Sequence, residues 1–149
     1  QLQERILPEI VSGERRICLA VTEPSAGSDV CGITTTATKT PDDTHHIVNG
    51  EKKWITNGIV SDYFMTAVRT GGPGASGLSM LLIPRSSGLR TRTIDVVSGP
   101  LPGTTYVTFE DAKVPISYLV GNEGLGFRQA MLNFNQERLW IAFQAGKQA

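Results

Sequence analysis

The hydrophobic period of this chain changes along its length, and the change limits what it can fold into. Between Ile17 and Pro115, apolar and β-branched residues fall in short runs broken by Gly, Pro, Asn and Asp. Beyond Leu125 they recur at three- and four-residue steps. The first pattern belongs to strands and the second to a helix. The runs Ile17–Thr22, Thr34–Thr40, His45–Val48, Glu51–Thr56, Tyr63–Arg69, Leu78–Pro84, Arg90–Val97 and Thr104–Glu110 read as strands. No helical pattern lies between them. That predicts a mainly β fold, an antiparallel barrel or sandwich rather than a parallel sheet. Asn49-Gly50 predicts a tight hairpin, because both central residues of a type I′ turn need positive φ. Val114-Pro115 closes the β region.

Helical segments flank it. Residues up to Leu7 read as the end of a helix. Pro8 suits the first position of a new short turn, where its missing N–H is no loss, and Gly13 stops that turn. At the other end, Phe127, Ala130, Met131, Phe134, Ile141 and Ala145 form one stripe. Leu132, Leu139, Trp140 and Phe143 make other faces apolar too, the mark of a helix buried among helices. The start lacks Met and any signal-peptide pattern, and both ends read as cuts. The expected organisation is the end of a helical domain (1–16), a middle β-domain (17–120) and the start of a second helical domain (121–149), a long helix cut short.

Composition narrows the function classes. Lys+Arg and Asp+Glu are both 14 in 149 residues, so no basic field points to nucleic acid. No apolar run reaches the roughly 20 residues that span a bilayer. Cys18 and Cys31 read as buried free thiols. Two Cys and two His at unrelated spacings make no metal site, and His45 and His46 face opposite ways on a strand. Gly71–Gly77 lacks the Gly-Lys-Ser/Thr ending of a phosphate loop and reads as a flexible connection. Gly121–Gly126 lacks the strand and acidic partner of a dinucleotide fingerprint and reads as a loop entering a helix.

Three places could carry chemistry. Trp54 and Thr56 share a strand face. The pair suits a flat heteroaromatic ligand, the indole stacking and the hydroxyl bonding an edge atom, and it equally suits a core. Thr22 stands where a strand meets Pro24, and Ser25-Ala-Gly-Ser28 follows. Gly27 allows close backbone approach and Ser28 offers a hydroxyl, so the stretch is either a polar turn or a cradle for a polar ligand. Glu137-Arg138 continue the stripe from Phe134. A buried charge there is an inter-helical ion pair, or else a base with a raised pKa beside a phosphate-binding Arg.

Four blocks, Ala20–Val30, Ile47–Gly58, Val107–Pro115 and Gly126-Phe127, together resemble the acyl-CoA dehydrogenases, in the family's order and over nearly the whole chain. The resemblance implies the family's middle β-domain with the edges of both helical domains. It also implies an FAD enzyme that oxidises acyl-CoA thioesters to 2,3-enoyl-CoA. Carried over, the stretch from Leu19 to Ser28 contacts FAD, with Leu19, Val21, Thr22, Gly27 and Ser28 named for it. The Thr22 hydroxyl meets the pyrimidine side, Trp54 lies against the isoalloxazine beside Ile55, and Thr56 bonds N5. Ser28, Asn135 and Arg138 match substrate-binding positions, although the medium-chain enzyme has Asp where Asn135 stands.

Most family members carry the catalytic Glu far downstream. Isovaleryl- and long-chain-type members carry it just before the Arg, which is the position of Glu137. The family is commonly an oligomer, dimeric or tetrameric, and passes electrons to an electron-transfer flavoprotein. A mitochondrial or peroxisomal matrix and a bacterial cytoplasm all fit. Acyl-CoA oxidases, nitroalkane-oxidase-like enzymes and a DNA-damage-response relative share the same wall. A β-module that binds nothing is the reading outside enzymology.

Overall fold

The computed structural model describes residues 2–86, 88–95 and 103–148. The element order is α1 (Leu2–Val11), β1 (Ile17–Ala20), β2 (Thr36–Lys39), β3 (His45–Thr56), β4 (Tyr63–Arg69), β5 (Leu78–Pro84), β6 (Leu89–Thr93), β7 (Thr104–Pro115), β8 (Leu119–Val120) and α2 (Gly126–Gln148). The mainly β expectation holds. The eight strands make one mixed sheet, ordered β6-β7-β3-β2-β4-β5-β8 with β1 beside β4, and it does not close into a barrel. Most pairings are antiparallel, while β4 takes both β1 and β2 in parallel.

One pairing, Thr36 with Arg69, joins β2 to β4. The sheet therefore folds there into two leaves. Phe64, Val68, Leu81 and Ile83 of one leaf meet Val48, Ile55, Val107, Phe109 and Val114 of the other in a shared core. The opposite face of β4 and β5, with Ala67, Leu78 and Met80, carries a second cluster. It is roofed by Val21, Ala26, Val30 and Ile33 and by Phe127, Met131 and Phe134 of α2. Alternation along β4 and β5 supplies both faces from the same strands.

Several local expectations change. α1 is continuous through Pro8, which stands inside it rather than at the start of a new turn. Packing holds its two halves in line. Ile6 is buried, the Arg5 guanidinium lies over Tyr118, and the Tyr63 hydroxyl donates to Glu9 Oε2 at 3.0 Å. These contacts outweigh the one hydrogen bond that proline removes.

Asn49-Gly50 makes no hairpin, since β3 runs straight through it. Val48 pairs with Ala112 and Gly50 with Phe109, which leaves an extra residue on β7. The Asn49 side chain clips that bulge, donating from Nδ2 to Asp111 Oδ1 and accepting from Asp111 N–H. A Cβ on Gly50, at φ 141°, would stand 2.6 Å from Thr35 Oγ1. The dipeptide thus serves a bulge and a close crossing, two other uses of the same backbone freedom. The tight turn lies between β2 and β3, where Thr40 N–H donates to His45 O. β7 runs on to Pro115, β8 follows it, and the expected strand end at residues 96–97 lies outside the described residues.

Cys18 is buried and Cys31 half-buried, both as free thiols. The 71–77 connection wraps the Arg69 guanidinium, which donates to the carbonyls of Gly72 and Gly74.

α2 starts where no side chain fits, since a Cβ on Gly126 would meet the Ser79 backbone at 2.5 Å. Its first turns lie on the sheet. Beyond Phe134 it leaves the β body, and Leu139, Trp140, Ile141 and Phe143 are 60–73% exposed. Glu137 and Arg138, expected on the buried stripe, are exposed as well. The stripe is present in the sequence, but the surface it packs against ends one turn earlier.

Candidate functional site

The chain leaves β1 at Ala20 and turns at once onto β3. Lys53 N–H donates to Thr22 O at 2.9 Å, and the Thr22 hydroxyl donates to Lys53 O at 2.5 Å. This two-bond clasp sets Thr22 beside Trp54. The turn after it is closed by Glu23 N–H donating to Ala26 O at 2.9 Å. Val21 and Ala26 pin the stretch to the second cluster, while Ser25, Gly27 and Ser28 stay exposed.

Beneath the clasp lies an ion pair that the sequence reading did not single out. Lys52 and Glu23 are 2.9 Å apart, with side chains 0% and 1% exposed. The Lys52 ammonium also donates to Val21 O at 3.0 Å. Glu23 Oε1 accepts from Thr35 N–H, and Oε2 accepts from the N–H and hydroxyl of Thr34. Burial alone would push the Glu23 carboxyl up. The Lys52 charge and the hydrogen bonds from Thr35, Lys52 and Thr34 prevail and hold it at about 2. Burial pushes the Lys52 ammonium down, and Glu23 opposes that shift. A signal existed. Lys52 is in phase with Val48 on the inward face of β3, and a Lys placed there must find an anion or stay unpaired.

Lys52 and Trp54 should share a face by simple alternation, yet Lys52 points in and Trp54 points out. The cause is a second bulge. Lys52 pairs with Val107 and Ile55 with Thr105, so β3 spends one residue more than β7. Trp54 takes it up at φ 68°. An aromatic residue in the left-handed region is a strained choice, costing about 1–3 kcal/mol, and such strain concentrates at ligand sites. The bulge turns Trp54 and Thr56 outward together, on the shared face expected for them. Trp54 is 50% exposed, and the Lys53 ammonium lies 4.6 Å from its ring centroid.

The remaining positions sort by depth. The side chains of Val21 and Ile55 enter the core, so only their main chain could meet a ligand. Leu19 is partly exposed. Open space surrounds Gly27, with nothing within 4 Å of where a Cβ would lie. On α2, Asn133 Nδ2 donates to Glu137 Oε1 at 2.7 Å, and Arg138 reaches Asn135 Oδ1 at 3.5 Å. The desolvation expected of Glu137 is not present in this chain. The structure thus brings Thr22, Trp54 and Thr56 to one wall, with the small-residue turn beside it. Asn135, Glu137 and Arg138 stand apart on the free half of the helix. An outward indole, two neighbouring hydroxyls and an unobstructed glycine turn fit a flat, polar-edged ring system carrying a flexible polar tail.

Residues 18–112 match the family model described as acyl-CoA dehydrogenase, middle domain. The chain is 53% identical to acyl-CoA dehydrogenase apdG of Emericella nidulans, over 100% of its own length and 34% of the relative's. It is 34% identical to the mitochondrial isobutyryl-CoA dehydrogenase of Bos taurus, over 94% of this chain and 34% of that one. A solved structure of a probable acyl-CoA dehydrogenase from Mycobacterium abscessus superposes with a TM-score of 0.87 at 42% identity, covering 97% of this chain and 38% of that one. The chain spans about a third of the length of the relatives it matches. The clasp and both bulges fall within residues 18–112, and the chain belongs to the acyl-CoA dehydrogenase family.

Proposed function

We propose that this chain supplies one wall of the FAD and acyl-CoA site of an acyl-CoA dehydrogenase, with residues 1–16 and 121–149 as the edges of the helical domains on either side. The observation that carries the reading is the strained bulge at Trp54, which turns an indole and the Thr56 hydroxyl outward beside the Thr22 clasp. A sheet built only for stability gains nothing from that arrangement.

FAD, when bound, supplies the acceptor for the hydride leaving the β-carbon. The chain's own residues position and prepare. Trp54 flanks the ring, Thr22 and Thr56 offer hydroxyls to its polar edges, and the Gly27-Ser28 turn approaches the tail and the pantetheine arm. Arg138 and Asn135 hold the CoA portion. The Glu137 carboxylate takes the α-proton. An oligomeric assembly and an electron-transfer flavoprotein as acceptor complete the proposal.

The test uses the full-length protein. It is expected to purify with flavin absorbance that bleaches when an acyl-CoA is added. Reoxidation by electron-transfer flavoprotein rather than by dioxygen marks the dehydrogenase over the oxidase. Absence of any flavin binding sinks the reading.

A further inference from the structure

The buried Glu23–Lys52 pair has a direction. The ammonium touches the Val21 carbonyl, on the main chain that enters Thr22. The carboxylate is turned the other way, its second oxygen taken by Thr34 and its first shared between Thr35 and Lys52. The cationic end is thus the one in contact with the main chain entering the Thr22–Trp54 wall, while hydrogen bonds from Thr34 and Thr35 stabilise the anionic end. Drawing on the Val21 carbonyl also polarises the Val21–Thr22 peptide and makes the Thr22 N–H a stronger donor. Burying two charges is no route to stability as such, because a well-packed apolar pair is often as stable or more so. The pair joins the two stretches that make the wall, Leu19–Asp29 and Asn49–Gly58, and has no surface role.

We propose that Lys52, oriented by Glu23, is a positioning residue that also tunes charge at the flavin. It fixes Thr22 against β3 and sets a cation behind the wall, so that reduced, anionic flavin is held more tightly than oxidised flavin. This rests on the flavin reading above.

The test uses the full-length protein loaded with FAD. The ratio of its affinities for reduced and oxidised flavin is read from the midpoint potential of bound against free FAD. Lys52→Met/Glu23→Gln removes both charges at near-constant volume. It is expected to keep FAD bound and to shift the ratio roughly threefold toward the oxidised form. Thr34→Val removes the hydroxyl bond to Glu23 Oε2 and keeps the backbone one, without changing charge, and it is expected to lower stability and leave the ratio in place. A wild-type protein that binds no FAD overturns both the flavin reading and this one. A wild-type protein that binds FAD, with an unmoved ratio in the double variant, overturns this proposal alone. So does a Thr34→Val shift as large as the double variant's, because loosening rather than charge would then be the cause. If the double variant does not fold, Glu23→Gln alone replaces it. Loss of the carboxylate charge must then displace the ratio from wild type, and an unmoved ratio overturns the proposal.

Discussion

Glu23 with Lys52, and Glu137 beside Arg138, each set a Glu near a basic residue, and they live in opposite surroundings. Glu23 and Lys52 are sealed, bonded on every side and fixed to backbone. Glu137 and Arg138 are exposed, each bonded to a neighbouring Asn on its own helix. The sealed pair is a finished object, whose members and partners come from β3 and from the connection between β1 and β2. The open pair stands where the β body has run out of surface. A charge becomes structural when the fold delivers its partners. It stays free for chemistry when the partners have still to arrive with substrate or with other parts of the protein.

The contrast can be broken at either end. The largest effect is expected at the open pair. Glu137→Gln in the full-length protein should lower turnover by about 10²–10⁴-fold with FAD still bound, and stopped-flow bleaching with acyl-CoA would show it. Retained turnover would move the base to another residue. At the sealed pair, Lys52→Met alone strands the Glu23 carboxylate and should cost about 3–5 kcal/mol in urea denaturation. Adding Glu23→Gln should recover most of that loss, and failure to recover it would mean that Lys52 matters for shape rather than charge.

Acid should separate the pairs too. Glu23 is depressed when folded, so its contribution is complete above the ordinary Glu range and is lost as pH falls from about 4.5 toward about 2. The loss is on the order of 3 kcal/mol, and Glu23→Gln should flatten that limb of a stability–pH curve. The smallest effect is expected at His46. It is fully buried with both ring nitrogens unpartnered among the described residues. Burial holds its pKa below the usual imidazole value, so its contribution fades earlier as pH falls below the ordinary His range. His46→Leu should change stability by about 1 kcal/mol or less at neutral pH and remove that first, milder step, as followed by thermal melts.

Much of this was legible in the sequence. Period two from Ile17 and helical period after Leu125 placed the elements, and the blocks around Thr22 and Trp54 are the two stretches that the clasp joins. What escaped was decided by contacts between distant residues. Asn49-Gly50 has the chemistry of a turn, but Thr35 crossing above it and Asp111 beside it recruit the same freedom for a bulge. Pro8 reads as a break until Tyr63 and Tyr118 hold the helix on both sides of it. The buried stripe of α2 was read correctly as a pattern and too far along as a fact, because a pattern does not say where its partner surface ends. The Glu23–Lys52 pair needed both blocks to be seen as one object, since the inward phase of Lys52 calls for an anion without saying that the other block supplies it.

The contact between Gly126 and Ser79 has a mechanical consequence. α2 is clamped to the sheet only over its first turns and then projects as a lever. At 1.5 Å per residue, Glu137 stands about 16 Å from that clamp. A tilt of about 5° at the clamp would carry the carboxylate by about 1.4 Å, beyond the roughly 0.5 Å within which catalytic groups must be held. A glycine with no chemistry of its own, far from the proposed base, thereby sets the aim of that base. The first methyl group added there would act on the whole length of the arm.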